Sequence, residues 1–206
     1  MNQIRPLRLM AMTILIFALI TTGCSDQTMT PIPSNGVILA FGDSLTYGVG
    51  VDEEDSYPSE LARLTKRSVI NAGVSGEVTE EGLARLPAEL SSTRPHTLIL
   101  IEGGNDILRN HDLTKTKSNL RKMIQLAHNK GVQVLLVTMP AKHIFSSEAK
   151  LYSELAEEFG LAYEDSIIAS LLKSPEMKSD PIHFNEAGYA KLAQRIHTLL
   201  IEHGAL

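Results

Sequence analysis

Four short stretches of this 206-residue chain carry side chains able to do covalent chemistry. "FGDSLTYGVG" at 41–50 sets Asp43 beside the hydroxyl of Ser44; "NAGVSGE" at 71–77 holds Gly73, Ser75 and Gly76; "EGGNDI" at 102–107 holds Asn105 and Asp106; "SDPIHFNEAGY" at 179–189 holds Asp180 and His183. Each has a bland explanation. Asp and Ser are good helix N-caps, the glycines suit tight turns, and Asn105 suits an Asx turn. Taken together they supply a hydroxyl, a base and an acid. Serine is a poor nucleophile while its hydroxyl stays protonated, and an imidazole held in one tautomer by a carboxylate removes that obstacle. Asp180, three residues before His183, can orient the ring from one short loop and leave its other nitrogen for Ser44. The oxyanion of acyl transfer then needs donors, for which the Ser44 N–H, the Gly76 N–H and the Asn105 amide are available.

Those residues matter only if one scaffold brings them together. From residue 37 onward, short β-branched or Leu-rich runs alternate with stretches of helical period, as in successive βαβ units of a parallel sheet. Strands are expected at 37–41 (VILAF), 68–72 (SVINA), 97–102 (TLILIE), 132–138 (VQVLLVT) and 161–165 (LAYED). Core-facing helical residues are expected at Leu61 and Leu64, at Leu120, Met123, Ile124 and Ala127, and at Leu151, Leu155 and Phe159, with Asn185 as the N-cap of a final helix. The fold class is therefore α/β, a three-layer α/β/α sandwich on a five-stranded parallel sheet. In such a sheet ligands bind at the carboxyl ends of the strands, and three of the four stretches directly follow a strand. "ILRNHD" at 107–112 and "MPAKHIFSSE" at 139–148 also follow strand ends, so Ile107, Leu108, Ile144 and Phe145 are expected to line a substrate groove.

The four stretches resemble the motifs of the SGNH or GDSL hydrolases, in family order, from residue 37 to the C-terminus. The likeness is to the bacterial branch of thioesterase I/lysophospholipases and arylesterases. It implies a flavodoxin-like fold and a serine esterase needing neither metal nor cofactor. Ser44 is then the nucleophile, His183 the base, Asp180 its orienting acid, and Gly76 and Asn105 are oxyanion donors with Ser44. Asp43 and Asp106 are implied as supporting hydrogen-bonding residues, and Gly73 as a turn residue. Where the family often has Asp-Gly-x-His-Pro, this chain has "DPIHFN"; Pro181 is expected to stiffen the loop and Phe184 to shape the pocket wall. The implied substrates are lysophospholipids or aryl and short- to medium-chain acyl esters, with thioesters a further capacity. Two rival readings are an acetyl-glycan deacetylase, disfavoured by the lack of Trp and the ten Phe plus Tyr residues, and a binding module of the same fold without turnover.

A net charge of −5 with sequence pI near 5.8, and no run of basic residues, leaves no footprint for nucleic acid. No obligatory protein partner is indicated. Arg5 and Arg8 precede an uncharged apolar stretch, "AMTILIFALI", and together residues 1–23 read as a signal peptide. "TTGC" then ends in the single cysteine, Cys24, and loosely resembles a lipobox with Thr21 where Leu is usual. The expectation is an exported protein anchored to a membrane through lipidated Cys24. Ser25 in place of an Asp favours the outer membrane, and the alternative is a free periplasmic enzyme. Residues 24–36 read as a polar, Pro-containing tether and 37–206 as the domain.

Overall fold

A computed structural model describes residues 28–141 and 149–206. The expected signal peptide and Cys24, and Ile144 and Phe145 of the expected groove, lie outside the described residues.

The five apolar runs form one parallel sheet in the order β2-β1-β3-β4-β5. Its strands are β1 (Val37–Gly42), β2 (Ser68–Gly73), β3 (Thr97–Ile101), β4 (Gln133–Val137) and β5 (Ala162–Glu164). Register is set by β-branched and Leu residues that are buried from both faces. In the centre, Leu39, Ala40 and Phe41 of β1 pair with Leu98, Ile99 and Leu100 of β3, all fully buried. Each such Leu or Ile side chain contributes about 1.5–3 kcal/mol by leaving water, so a one-residue slip is strongly disfavoured.

The helices are α1 (Ser44–Tyr47), α2 (Tyr57–Thr65), α3 (Thr79–Thr93), α4 (Gly104–Leu108), α5 (Leu113–Asn129), α6 (Lys150–Phe159), α7 (Ile167–Lys173) and α8 (Glu186–Glu202). Helix α2 packs on α8, while α3, α5 and α6 pack in a row, which supplies the two outer layers. The expected faces of α5 and α6 are the buried ones, although Phe159 is only partly covered. On α2, Leu61 is buried but Leu64 is exposed, because Tyr57, Pro58, Leu61 and Thr65 define the inward stripe and Leu64 falls off its edge. Asn185 caps α8 by accepting the Gly188 N–H at 3.0 Å.

The strand bounds and the tether need correction: β1 and β2 run on to Gly42 and Gly73, and β4 and β5 are each one residue shorter at both ends than expected. Strand β3 stops at Ile101, one residue short, because Glu102 turns out of the ladder and accepts the N–H of Gly103 at 2.8 Å. Of the stretch expected to be a tether, residues 28–36 are packed against the domain. The Met29 and Ile32 N–H groups bond to the carbonyls of His203 and Ala205 at 2.7 and 2.8 Å, Gln133 brackets Thr30, and Ile32 is buried.

Candidate active site

The loop between β1 and α1 is a single residue, Asp43. Its side chain accepts the Leu45 N–H at 3.0 Å, so Asp43 performs the capping. Ser44, the first residue of the helix, is left with its hydroxyl directed elsewhere: its Oγ lies 3.0 Å from His183 Nε2. At the other side of the ring, His183 Nδ1 lies 2.7 Å from Asp180 Oδ2. The second Asp180 oxygen accepts the backbone N–H groups of Ile182 and His183 at 2.8 and 2.9 Å, which makes the loop its own template for the carboxylate. The bond to His183, followed by those backbone donors, holds the Asp180 carboxyl below its usual range. Serine, histidine and aspartate, with Ser44 and His183 139 residues apart in the chain, thus form one continuous hydrogen-bonded line.

The loop carrying Asp180 and His183 is clamped from beneath. Lys178 and Phe184 form an antiparallel bridge, the Ser179 N–H donates to the His183 carbonyl at 3.1 Å, and Asn185 donates to the Glu176 carbonyl at 2.8 Å. Phe184 does not shape the pocket wall as expected. It is fully buried, edge-on to Tyr189 at 5.5 Å, since its residue follows the histidine into the core. Pro181 and Ile182 face the groove instead.

Asp43 and Asn105 line one groove with Ser44. Gly76 has φ +80°, a left-handed conformation in which a side chain is strained, and its carbonyl accepts from Arg109 at 2.9 Å. Asn105, in the first turn of α4, donates its amide to the Glu77 carbonyl at 2.8 Å and reaches toward Asp43 Oδ2 at 3.5 Å. Gly73 serves the packing of the sheet end, because a Cβ there would sit 2.1 Å from the Tyr47 nitrogen and only glycine lets the end of β2 meet α1. Asp106 lies behind the rim and accepts from the Thr79 N–H, the Thr79 hydroxyl and the Thr116 hydroxyl at 2.9, 2.7 and 3.1 Å, tying α3, α4 and α5 together. Burial, partly offset by the Leu45 N–H, raises Asp43 to about 6. The charge of His183 acts on Asp43 in the opposite direction to burial.

A groove of about 380 Å³ opens beside Ser44 and Asn105. Its walls are mainly apolar, with Ile107, Leu108, Met139, Ile168, Ala169 and Leu172 among them. Ile107 and Leu108 were expected there. The contribution of α7 was not: "IIASLLK" shows an apolar period, but nothing local distinguishes a groove wall from a core face. Also unforeseen is the pair of buried Glu77 with half-buried Arg85, joined at 2.6 and 2.7 Å, with the guanidinium also donating to the Ala72 carbonyl and stacked 3.8 Å over Phe41. The eight-residue spacing from Glu77 to Arg85 has no local signature. Among the described residues no group of three or more His, Cys, Asp or Glu side chains is placed to hold a metal ion.

The sequence model of the GDSL-like lipase/acylhydrolase family matches residues 40–191, which span every element of this site. The chain belongs to that family. This GDSL hydrolase is 31% identical over 156 residues to the thioesterase 1/protease 1/lysophospholipase L1 of Escherichia coli, covering 72% of this chain and 75% of the relative. It is 29% identical over 177 residues to an arylesterase of Vibrio mimicus, covering 81% and 88%. Among solved structures, TesA matches the GDSL hydrolase with TM-score 0.68 and 27% identity over 80% of this chain and 97% of the other. The SGNH-hydrolase family esterase AlinE4 matches with TM-score 0.66 and 29% identity over 83% and 97%. The protein is accordingly a hydrolase of the SGNH/GDSL esterase type.

Proposed function

We propose that this hydrolase cleaves carboxylic esters of short to medium acyl chains, lysophospholipids included, through an acyl-Ser44 intermediate. The observation that carries the reading is the unbroken line Ser44–His183–Asp180 opening on an apolar groove. Ser44 Oγ attacks the acyl carbonyl while His183 Nε2 takes its proton, and Asp180 stabilises the resulting imidazolium. The negative oxygen of the tetrahedral intermediate is met by the N–H groups of Ser44 and Gly76 and by the Asn105 amide. The Ser44 N–H belongs to the first turn of a helix, where no intrahelical acceptor exists, so it is free to serve. His183 then protonates the leaving alkoxide, and water repeats the sequence in reverse to release the acid.

The groove supports an acyl chain over an acetylated glycan, since its walls offer aliphatic and Met side chains rather than the polar and aromatic surface that sugars need. Ala169→Phe tests this: added bulk in the groove should lower kcat/KM for p-nitrophenyl octanoate by about tenfold or more while acetate hydrolysis changes less than about threefold. An unaltered chain-length profile would remove α7 from the acyl site.

The Asn105 role is tested separately. Asn105→Ala is expected to lower kcat by about 10²-fold, the scale for one lost oxyanion donor, with KM little affected. A variant with altered KM and unchanged kcat would show that the amide serves only the Glu77 carbonyl.

A further inference from the structure

Behind Ser44 and Asn105 lie four buried acidic side chains: Asp43, Glu77, Glu102 and Asp106. Three have clear partners. Asp43 caps α1, Glu77 holds Arg85, and Asp106 accepts from two threonines. Glu102 is different. It is fully buried, its Oε2 accepts only the adjacent Gly103 N–H, and its Oε1 is enclosed with no hydrogen-bond partner among the described residues.

The surroundings of that oxygen define its chemistry. A Cβ placed on Gly82 of α3 would lie 3.2 Å from Glu77 Oε2 and 3.3 Å from Glu102 Oε1, so the two carboxyl groups converge on the same glycine. The methyl of Met123, 3.2 Å from the same point, closes the space from α5. Two ionised carboxylates cannot bond to each other, and an unmet buried carboxylate oxygen is costly. A proton on Oε1 resolves both problems by making Glu102 a donor to Glu77.

We propose that Glu102 is a positioning residue, which as a neutral acid donates Oε1–H to the Glu77 carboxylate and so steadies the 75–77 loop that carries the Gly76 oxyanion donor. That loop is also held through the Glu77 carboxylate by Arg85, through the Glu77 carbonyl by Asn105 and through the Gly76 carbonyl by Arg109. Burial first, then the charge of Asp43 and the bond and charge of Glu77, push the Glu102 carboxyl well above its usual range. The groups facing it from the packed elements are Glu77 from the loop after β2, Arg85 of α3 through Glu77, Asp43 from the end of β1, and Tyr152 of α6. Tyr152 donates its hydroxyl to the Glu102 carbonyl at 2.7 Å, and burial keeps that hydroxyl protonated.

The kinetic part of the test rests on the esterase reading; the spectroscopic part does not. Infrared spectra of the wild type at about pH 8, where Asp43 has ionised, should show a protonated-carboxyl C=O band that is missing from Glu102→Gln. Its absence from the wild type would overturn the proposal whether or not the variant folds and whatever the enzyme's substrate. Glu102→Leu should lower kcat by about tenfold or more with KM within about threefold, and Glu102→Gln, whose amide can donate to Glu77, should restore most of the loss. A Gln variant as impaired as Leu would overturn the positioning role and leave the Ser44 reading to its own test.

Discussion

Ser44→Ala is expected to lower kcat/KM for p-nitrophenyl butyrate by at least about 10⁴-fold, the loss that follows removal of a nucleophile from a serine hydrolase. The variant should bind substrate and stay folded. The fold survives because Asp43, not Ser44, caps α1 through the Leu45 N–H, and among the described residues Ser44 Oγ is hydrogen-bonded to His183 alone. A thermal midpoint within a few degrees of the wild type, together with lost turnover, separates a chemical role from a structural one. A midpoint that fell sharply while residual activity stayed above about one tenth would show that the hydroxyl serves the helix and that another group attacks the ester.

Asp180→Asn should cost about 10³- to 10⁴-fold in kcat, and the geometry says why an isosteric change is so damaging. Oδ1 accepts two backbone N–H groups, from Ile182 and His183. In the Asn variant the amide oxygen takes that place, since an NH₂ group there would face two donors. The NH₂ is thereby turned toward His183 Nδ1, where the carboxylate oxygen stood at 2.7 Å. An amide donor there selects the tautomer protonated on Nε2, and such a ring offers Ser44 a hydrogen where it needs a base.

The pH dependence follows from the same bonds. Asp180 is held below its usual range by His183. Its folded-state pKa is depressed, so its contribution to stability is present above the unfolded value, near 4, and fades only as pH falls through the lower folded value. An Asn variant within tenfold of wild type in kcat would show that Asp180 does not act through the ring.

What could be read from the sequence and what could not divide along physical lines. Strand β1 was legible because five apolar residues end at Gly42-Asp43-Ser44, a change of composition confined to a few neighbours. Asp180 and His183 were legible because they share one short loop, where spacing in sequence is nearly spacing in space. The buried acids were not. Glu77 and Glu102 look like ordinary charged residues, and their burial follows only when β1, β2 and β3 converge and α3 closes over them. Phe184 misled for a related reason: a residue next to a reactive histidine is drawn toward the site by proximity, but its direction is set by the bridge from Lys178 to Phe184 and by Tyr189 beneath. Residues 28–36 have the composition of a tether, yet their backbone groups find partners at the C-terminal end of the chain, which no local pattern announces.

The measurement that tests the central claim most directly is covalent trapping. The protein should be treated with a p-nitrophenyl alkylphosphonate, digested, and mapped by mass spectrometry. A single phosphonyl adduct on the peptide containing Ser44, formed in step with loss of esterase activity and absent from Ser44→Ala, is the result expected of a nucleophile activated by His183. Full inactivation with the adduct on any other residue, or an unmodified Ser44 peptide in fully inactivated protein, would contradict the account.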